Sequence, residues 1–183
     1  DLLFQQLPPL YSADASFTRL LDADGREIDD AWRERRKRLL LEMFESFAPE
    51  VLITETFPFG RRMLRHELLP LLQAGRAACR LVIASIRDIL QPRSKPQRNR
   101  ETCEWLEAYY DRVLVHGDTS VARLEDSFAL AGEIEHMLHY SGYICAQGQP
   151  TESRDGEDEV LVSAGGSDTG LRILTTALAA RPL

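Results

Sequence analysis

The chain has 183 residues, 44% of them hydrophobic and 28% charged, enough for one substantial core or for one domain with part of another. This balance excludes disorder of the whole chain, and a formal charge of -7 lacks the basic surplus of a dedicated nucleic-acid binder. Cys79, Cys103 and Cys145 form no CxxC pair and stand without clustered histidines, so neither a disulfide framework nor a metal site is expected; such cysteine usage fits a reducing cytoplasm.

No apolar run approaches the roughly 20 residues a membrane-spanning helix needs. The start at Asp1 without a signal-like segment, and the stop at Arg181-Pro182-Leu183 just after a helical pattern, read as cuts in a longer protein. A short strand is expected at residues 2–7, an irregular stretch at 11–24 and a turn at Asp24-Gly25. Trp32, Leu39, Leu40, Met43, Phe44 and Phe47 recur at helical spacing, which predicts an amphipathic helix over 29–47. Asp29 or Asp30 caps it, and Arg33, Arg35, Arg36, Lys37 and Arg38 crowd its middle.

Val51-Leu52-Ile53-Thr54 is a continuous apolar run of the kind found in buried parallel strands. The loop Phe57-Pro58-Phe59-Gly60 leads to a second helix with Leu64, Leu68, Leu71 and Leu72 inward and a kink at Pro70. Residues 81–85 form the next strand. A basic, Pro-containing loop precedes a helix at 101–110, a third strand follows at 112–116, and another is expected at 140–145 with helical material between. This alternation predicts an α/β fold, a Rossmann-like, doubly wound parallel sheet with helices on both faces. Residues 1–146 form that domain, 147–158 an acidic linker, and 159–183 the start of a second Rossmann-like domain: a strand at 160–163, a Gly-rich turn and a helix at 171–180.

In an open parallel sheet, ligands bind beyond the carboxyl ends of the strands. After the first of these strands stand Arg61 and Arg62, whose guanidinium forks suit phosphate or carboxylate; the alternative is that Phe57 and Phe59 plug the sheet while both arginines are solvated. After the second come Arg87 and Asp88, either a salt bridge or an acid/base and ligand-binding pair. The loop carrying Arg93, Lys95, Arg98 and Arg100 is either a solvated, mobile segment or a cover for an anionic substrate or acidic lipid surface. His116 and Asp118 follow the third strand as a general base and carboxylate could, or as plain loop residues. Cys103 has no evident base and reads poorly as a nucleophile. Gly165, Gly166 and Ser167, between a strand and a helix, suit a phosphate, though they match neither G-x-G-x-x-G nor G-K-[ST], and a tight structural turn is the alternative.

The blocks Glu55-Thr56-Phe57-Pro58-Phe59-Gly60-Arg61-Arg62, Ser85-Ile86-Arg87-Asp88-Ile89-Leu90 and Val113-Leu114-Val115-His116-Gly117-Asp118 resemble a bacterial family of predicted glycosyltransferases of the two-domain GT-B architecture. That family is related to the N-acetylglucosaminyltransferase of the lipid-linked peptidoglycan precursor. The resemblance implies an acceptor-binding N-terminal domain, a nucleotide-sugar-binding C-terminal domain and transfer in the cleft between them. It implies Gly165, Gly166 and Ser167 at the donor diphosphate; from their places after the strands, Arg61, Arg62 and Asp88 are the candidates for the acceptor and His116, Asp118 and Arg87 for catalysis. Neither a cofactor nor a metal is implied. The partners are the nucleotide sugar and an acceptor, with peripheral contact at the inner membrane through the basic loop. The family's opening strand with its glycine-histidine loop, and the rest of its donor domain, have no counterpart in these 183 residues, so this piece alone is expected to be inactive. Two other functions fit the same scaffold: a non-catalytic binding or regulatory domain, and a sugar-nucleotide epimerase.

Overall fold

A computed structural model of the chain describes residues 3–13, 19–91, 96–144, 159–163 and 170–180. They fall into two compact units, residues 1–145 and 146–183. The first opens with an exposed irregular segment at 3–10, where a strand is expected from the sequence. A strand needs a ladder partner, and the first pairing in the chain is instead the short antiparallel ribbon of β1 (Tyr11–Ser12) and β2 (Leu20–Leu21). The turn at Asp24-Gly25 is present, with Gly25 at a left-handed φ of 75°.

Helix α1 (Asp30–Phe47) follows. The Asp29 carboxylate accepts the Trp32 N–H at 2.7 Å, and the helix stops where Ala48 turns left-handed and donates its N–H to the Phe44 carbonyl at 2.9 Å. Next come β3 (Val51–Glu55), α2 (Arg65–Ala78), β4 (Leu81–Arg87), α3 (Pro96–Tyr109), β5 (Arg112–His116), a 3₁₀ run (Ala131–Met137) and β6 (Leu138–Tyr140). Pro70 stands inside α2 without ending it. Because α3 begins at Pro96, Arg98 and Arg100 belong to a helix and not to the basic loop. β6 ends at Tyr140, where a strand is expected to begin.

The four main strands are parallel in the order β3-β4-β5-β6, which is also their order in the chain. Right-handed crossovers that all step in one direction put their helices on one face, and only a reversal of strand order would move helices to the other. The core follows that rule. Val82, Ala84, Ile86, Val113 and Val115 are buried together with Leu72 of α2 and Leu106 of α3. Each large apolar side chain removed from water there contributes about 1.5–3 kcal/mol. Gly75 brings α2 close to β3, since a Cβ at that position would stand 2.5 Å from the Leu52 Cδ2 methyl.

The alternate residues Val51, Ile53, Leu81, Ile83 and Leu114 lie outside this core. Val51 and Ile53 are 39% and 56% exposed. The fold therefore differs from the sequence expectation in two respects: among the described strands β3 lies at the edge, and the described core occupies one face of the sheet. Helix α1 packs on α2 through a nearly dry ion pair, Arg36 Nη2 to Glu67 Oε1 at 3.5 Å, with Arg36 over the Trp32 ring.

In the second unit, α4 (Leu171–Ala179) forms as expected. Residues 160–163 form no strand: Val160 and Leu161 are about nine-tenths exposed, and no described residue pairs with them. The linker 147–158 lies outside the described residues. Among the described residues no helix is long and apolar enough to cross a membrane.

Candidate functional site

Parallel pairing places the C-terminal ends of β3, β4, β5 and β6 along one edge of the sheet, with Glu55 opposite Ser85 and Arg87 opposite His116. The loop after β3 is held in a strained shape. Thr56 and Arg61 both have left-handed φ values, 70° and 51°, and the former is costly for a β-branched residue. The restraint comes from both ends of the loop. The Thr56 N–H donates to the Ser85 carbonyl at 2.7 Å, and the Phe57 carbonyl accepts from one of a pair of hydroxyls, Tyr110 at 3.1 Å and Thr54 at 3.2 Å, which bond each other at 2.7 Å. Phe57 stacks on Trp105 with ring centroids 5.3 Å apart, and Phe59 meets Phe128 edge-on at 5.1 Å. Gly60 is required at its position, because a Cβ would lie 2.5 Å from the Thr56 Cγ2 methyl.

This turn separates the two adjacent arginines. Arg61 stays at the strand ends, exposed and paired with Glu55 Oε2 at 2.7 Å. Arg62 turns away to α3, where it pairs with Glu101, donates to Thr102 Oγ1 at 3.2 Å and lies over the Trp105 ring at 4.4 Å. In that position it ties the loop to a helix, and its side chain is only 16% exposed.

At the end of β4, Arg87 is exposed and makes no ion pair with a described residue, Asp88 included. The Asp88 carboxylate accepts the Tyr143 hydroxyl and the Ile89 N–H, each at 2.8 Å. These bonds, the tyrosine's first, hold it below the usual carboxylate range. Asp88 rests on Gly117, where a Cβ would stand 2.4 Å from the Asp88 Cβ. Gly117→Ala is accordingly expected to cost about 1–3 kcal/mol and to break the Asp88–Tyr143 bond, measurable by urea denaturation and by a downward shift of the Tyr143 phenol titration.

At the end of β5, both ring nitrogens of His116 are engaged. Nε2 lies 2.8 Å from Ser85 Oγ and Nδ1 lies 2.9 Å from Ser141 Oγ. Asp118 does not join them; its Oδ1 accepts the Ser120 N–H at 2.8 Å and the Ser120 hydroxyl at 2.7 Å, which lowers its pKa. The structure thus brings Arg87, Asp88 and His116 to one edge with Arg61 beside them, keeps Asp118 near Tyr143 of that edge but bonded to Ser120 and not to His116, and directs Arg62 to α3. Ser85 and Ser141 are the partners that the sequence pattern does not single out. The one available signal is the period-two series Ile83, Ser85, Arg87, which puts Ser85 on the face opposite the core.

Gly165, Gly166 and Ser167, like Arg93 and Lys95, lie outside the described residues. Cys103 is buried and its thiol is pushed up to about 11, chiefly by burial, which suits packing and not nucleophilic attack. Among the described residues no group of three or more His, Cys, Asp or Glu side chains could hold a metal ion. No protein-family model, curated protein or solved structure matches the chain.

Proposed function

We propose that residues 1–146 are the acceptor-side domain of a bacterial glycosyltransferase of the GT-B plan, and that residues 159–183 open its donor-side domain. The observation that carries this reading is a doubly hydrogen-bonded His116 with Arg87 and Asp88 at the carboxyl edge of a parallel sheet, where an α/β enzyme holds its ligand. Within it, His116 is the base that supports loss of the acceptor hydroxyl's proton as that oxygen attacks the anomeric carbon of a nucleotide sugar. Arg87, which makes no ion pair with a described residue, faces the charge that develops on the leaving diphosphate.

The test is ligand-induced stabilisation of the full-length protein by a panel of UDP- and GDP-sugars. A true donor at a hundred times its Kd should raise stability by about 2.7 kcal/mol, visible as a melting shift confined to one nucleotide class. No shift with any nucleotide sugar would contradict the reading.

A further inference from the structure

We propose that Ser85 is a proton relay between the acceptor hydroxyl and His116, and that Ser141 is the positioning residue that fixes the imidazole for it; the inference rests on the transferase reading above. Proton counting gives the direction. Ser85 Oγ has a single hydrogen-bond partner among the described residues, His116 Nε2 at 2.8 Å, and the relay assigns its one proton to that nitrogen. A neutral imidazole carries one N–H, which then sits on Nδ1 and donates to Ser141 Oγ at 2.9 Å. Ser141 completes the chain by donating to the Gly142 carbonyl at 3.0 Å. The reverse arrangement would leave the Ser85 proton without an acceptor among these groups.

The resulting chain has its bonds aligned before substrate arrives. Ser85 already points its proton at a basic nitrogen, and its lone pairs remain open to a second hydroxyl. It lies half-buried on the sheet face opposite the core, opposite Glu55 in the β3 register, and two positions before Arg87 on the same face of β4. In the step, the acceptor O–H bond breaks as its oxygen bonds to the anomeric carbon, and that proton goes to Ser85 Oγ. The Ser85 proton moves to His116 Nε2, giving an imidazolium whose Nδ1–H stays on Ser141. The anomeric C–O bond to the diphosphate breaks, and its electron pair leaves on the diphosphate.

Two measurements test this. Nitrogen NMR of the unaltered protein should show His116 with Nδ1 protonated and Nε2 bare, and Ser141→Ala should turn that single tautomer into a mixture. A protonated Nε2 in the neutral ring overturns the relay. In transfer assays of the full-length protein with labelled UDP- and GDP-hexoses and alkyl glycoside acceptors, Ser85→Ala should lower kcat about 100-fold with KM changed less than about twofold, and Ser85→Thr should recover most of the loss. An unchanged kcat in Ser85→Ala, beside an active unaltered protein, overturns the relay alone. No transfer by the unaltered full-length protein overturns the transferase reading, and the relay with it.

Discussion

Phe57→Ala is expected to destabilise the first unit by about 3–5 kcal/mol, the range for deleting a fully buried aromatic ring. Phe57 is wholly inaccessible, and its ring stacks on Trp105 of α3 while its carbonyl bonds the paired hydroxyls of Thr54 and Tyr110. Truncation leaves a cavity between β3 and α3, and the loop loses the contact that opposes the strain at Thr56 and Arg61. The loss should register in urea melts as a lower midpoint with an unchanged slope. Arg61 should lose its fixed position with Glu55, so the strand-end edge is affected even though Phe57 itself never reaches it. Phe57→Leu, which keeps most of the volume, should lose less than half as much.

The second large effect is expected at the contact between α1 and α2. Arg36→Met should cost about 3–5 kcal/mol at neutral pH, because it leaves the Glu67 carboxylate buried without its cation. The side chains of Arg36 and Glu67 are only 12% and 2% exposed. Burial already raises the Glu67 pKa, and Arg36 opposes that rise without cancelling it. A raised carboxyl pKa means that the folded state binds more protons than the unfolded one between the ordinary glutamate value and the raised value. Stability from this group therefore falls as pH climbs through that window. The Arg36→Met loss should be small below the ordinary glutamate range, where Glu67 is neutral in both states, and full above the raised value.

His66 bounds the size of that effect. Its Nε2 is 3.7 Å from Glu67 Oε2, and its pKa is lowered by burial, with Arg33, Arg36 and Lys37 adding to the fall. Removing Arg36 lets His66 take up a proton more readily and stand in part for the lost cation. Denaturation of the single variant and of Arg36→Met with Glu67→Leu separates the contributions: the double variant should regain most of the neutral-pH loss and lose its dependence on pH.

Helix α1 was legible in the sequence to within a residue, because Asp29 supplies a side-chain cap and the apolar positions share one face. The parallel strands were legible in number up to β5, since Leu81 to Ser85 and Val113 to His116 are short runs between helical patterns. Burial of β3 was not, because edge or centre depends on which strand lies beside it. The start of β6 was not legible, because Leu138-His139-Tyr140 carries no apolar run and is defined only by its pairing with β5. Arg61 and Arg62 looked equivalent by position; the left-handed turn at Arg61 parts them, and spacing carries no trace of it. His116 could be singled out as a titratable group at a strand end. Its true partners could not, because Ser85 and Ser141 meet it through strand register and lie 31 and 25 residues away in the chain.

The central claim is transfer of a sugar at this edge, and the fate of label in the full-length protein tests it most directly. With UDP- or GDP-hexoses labelled in the sugar and a separate hydroxyl acceptor present, the account predicts label in an acceptor glycoside, with release of the nucleoside diphosphate in equal amount. Label that remains in a nucleotide sugar of inverted configuration would identify an epimerase, and donor that is bound but chemically unchanged would identify a binding domain. Either result contradicts the account.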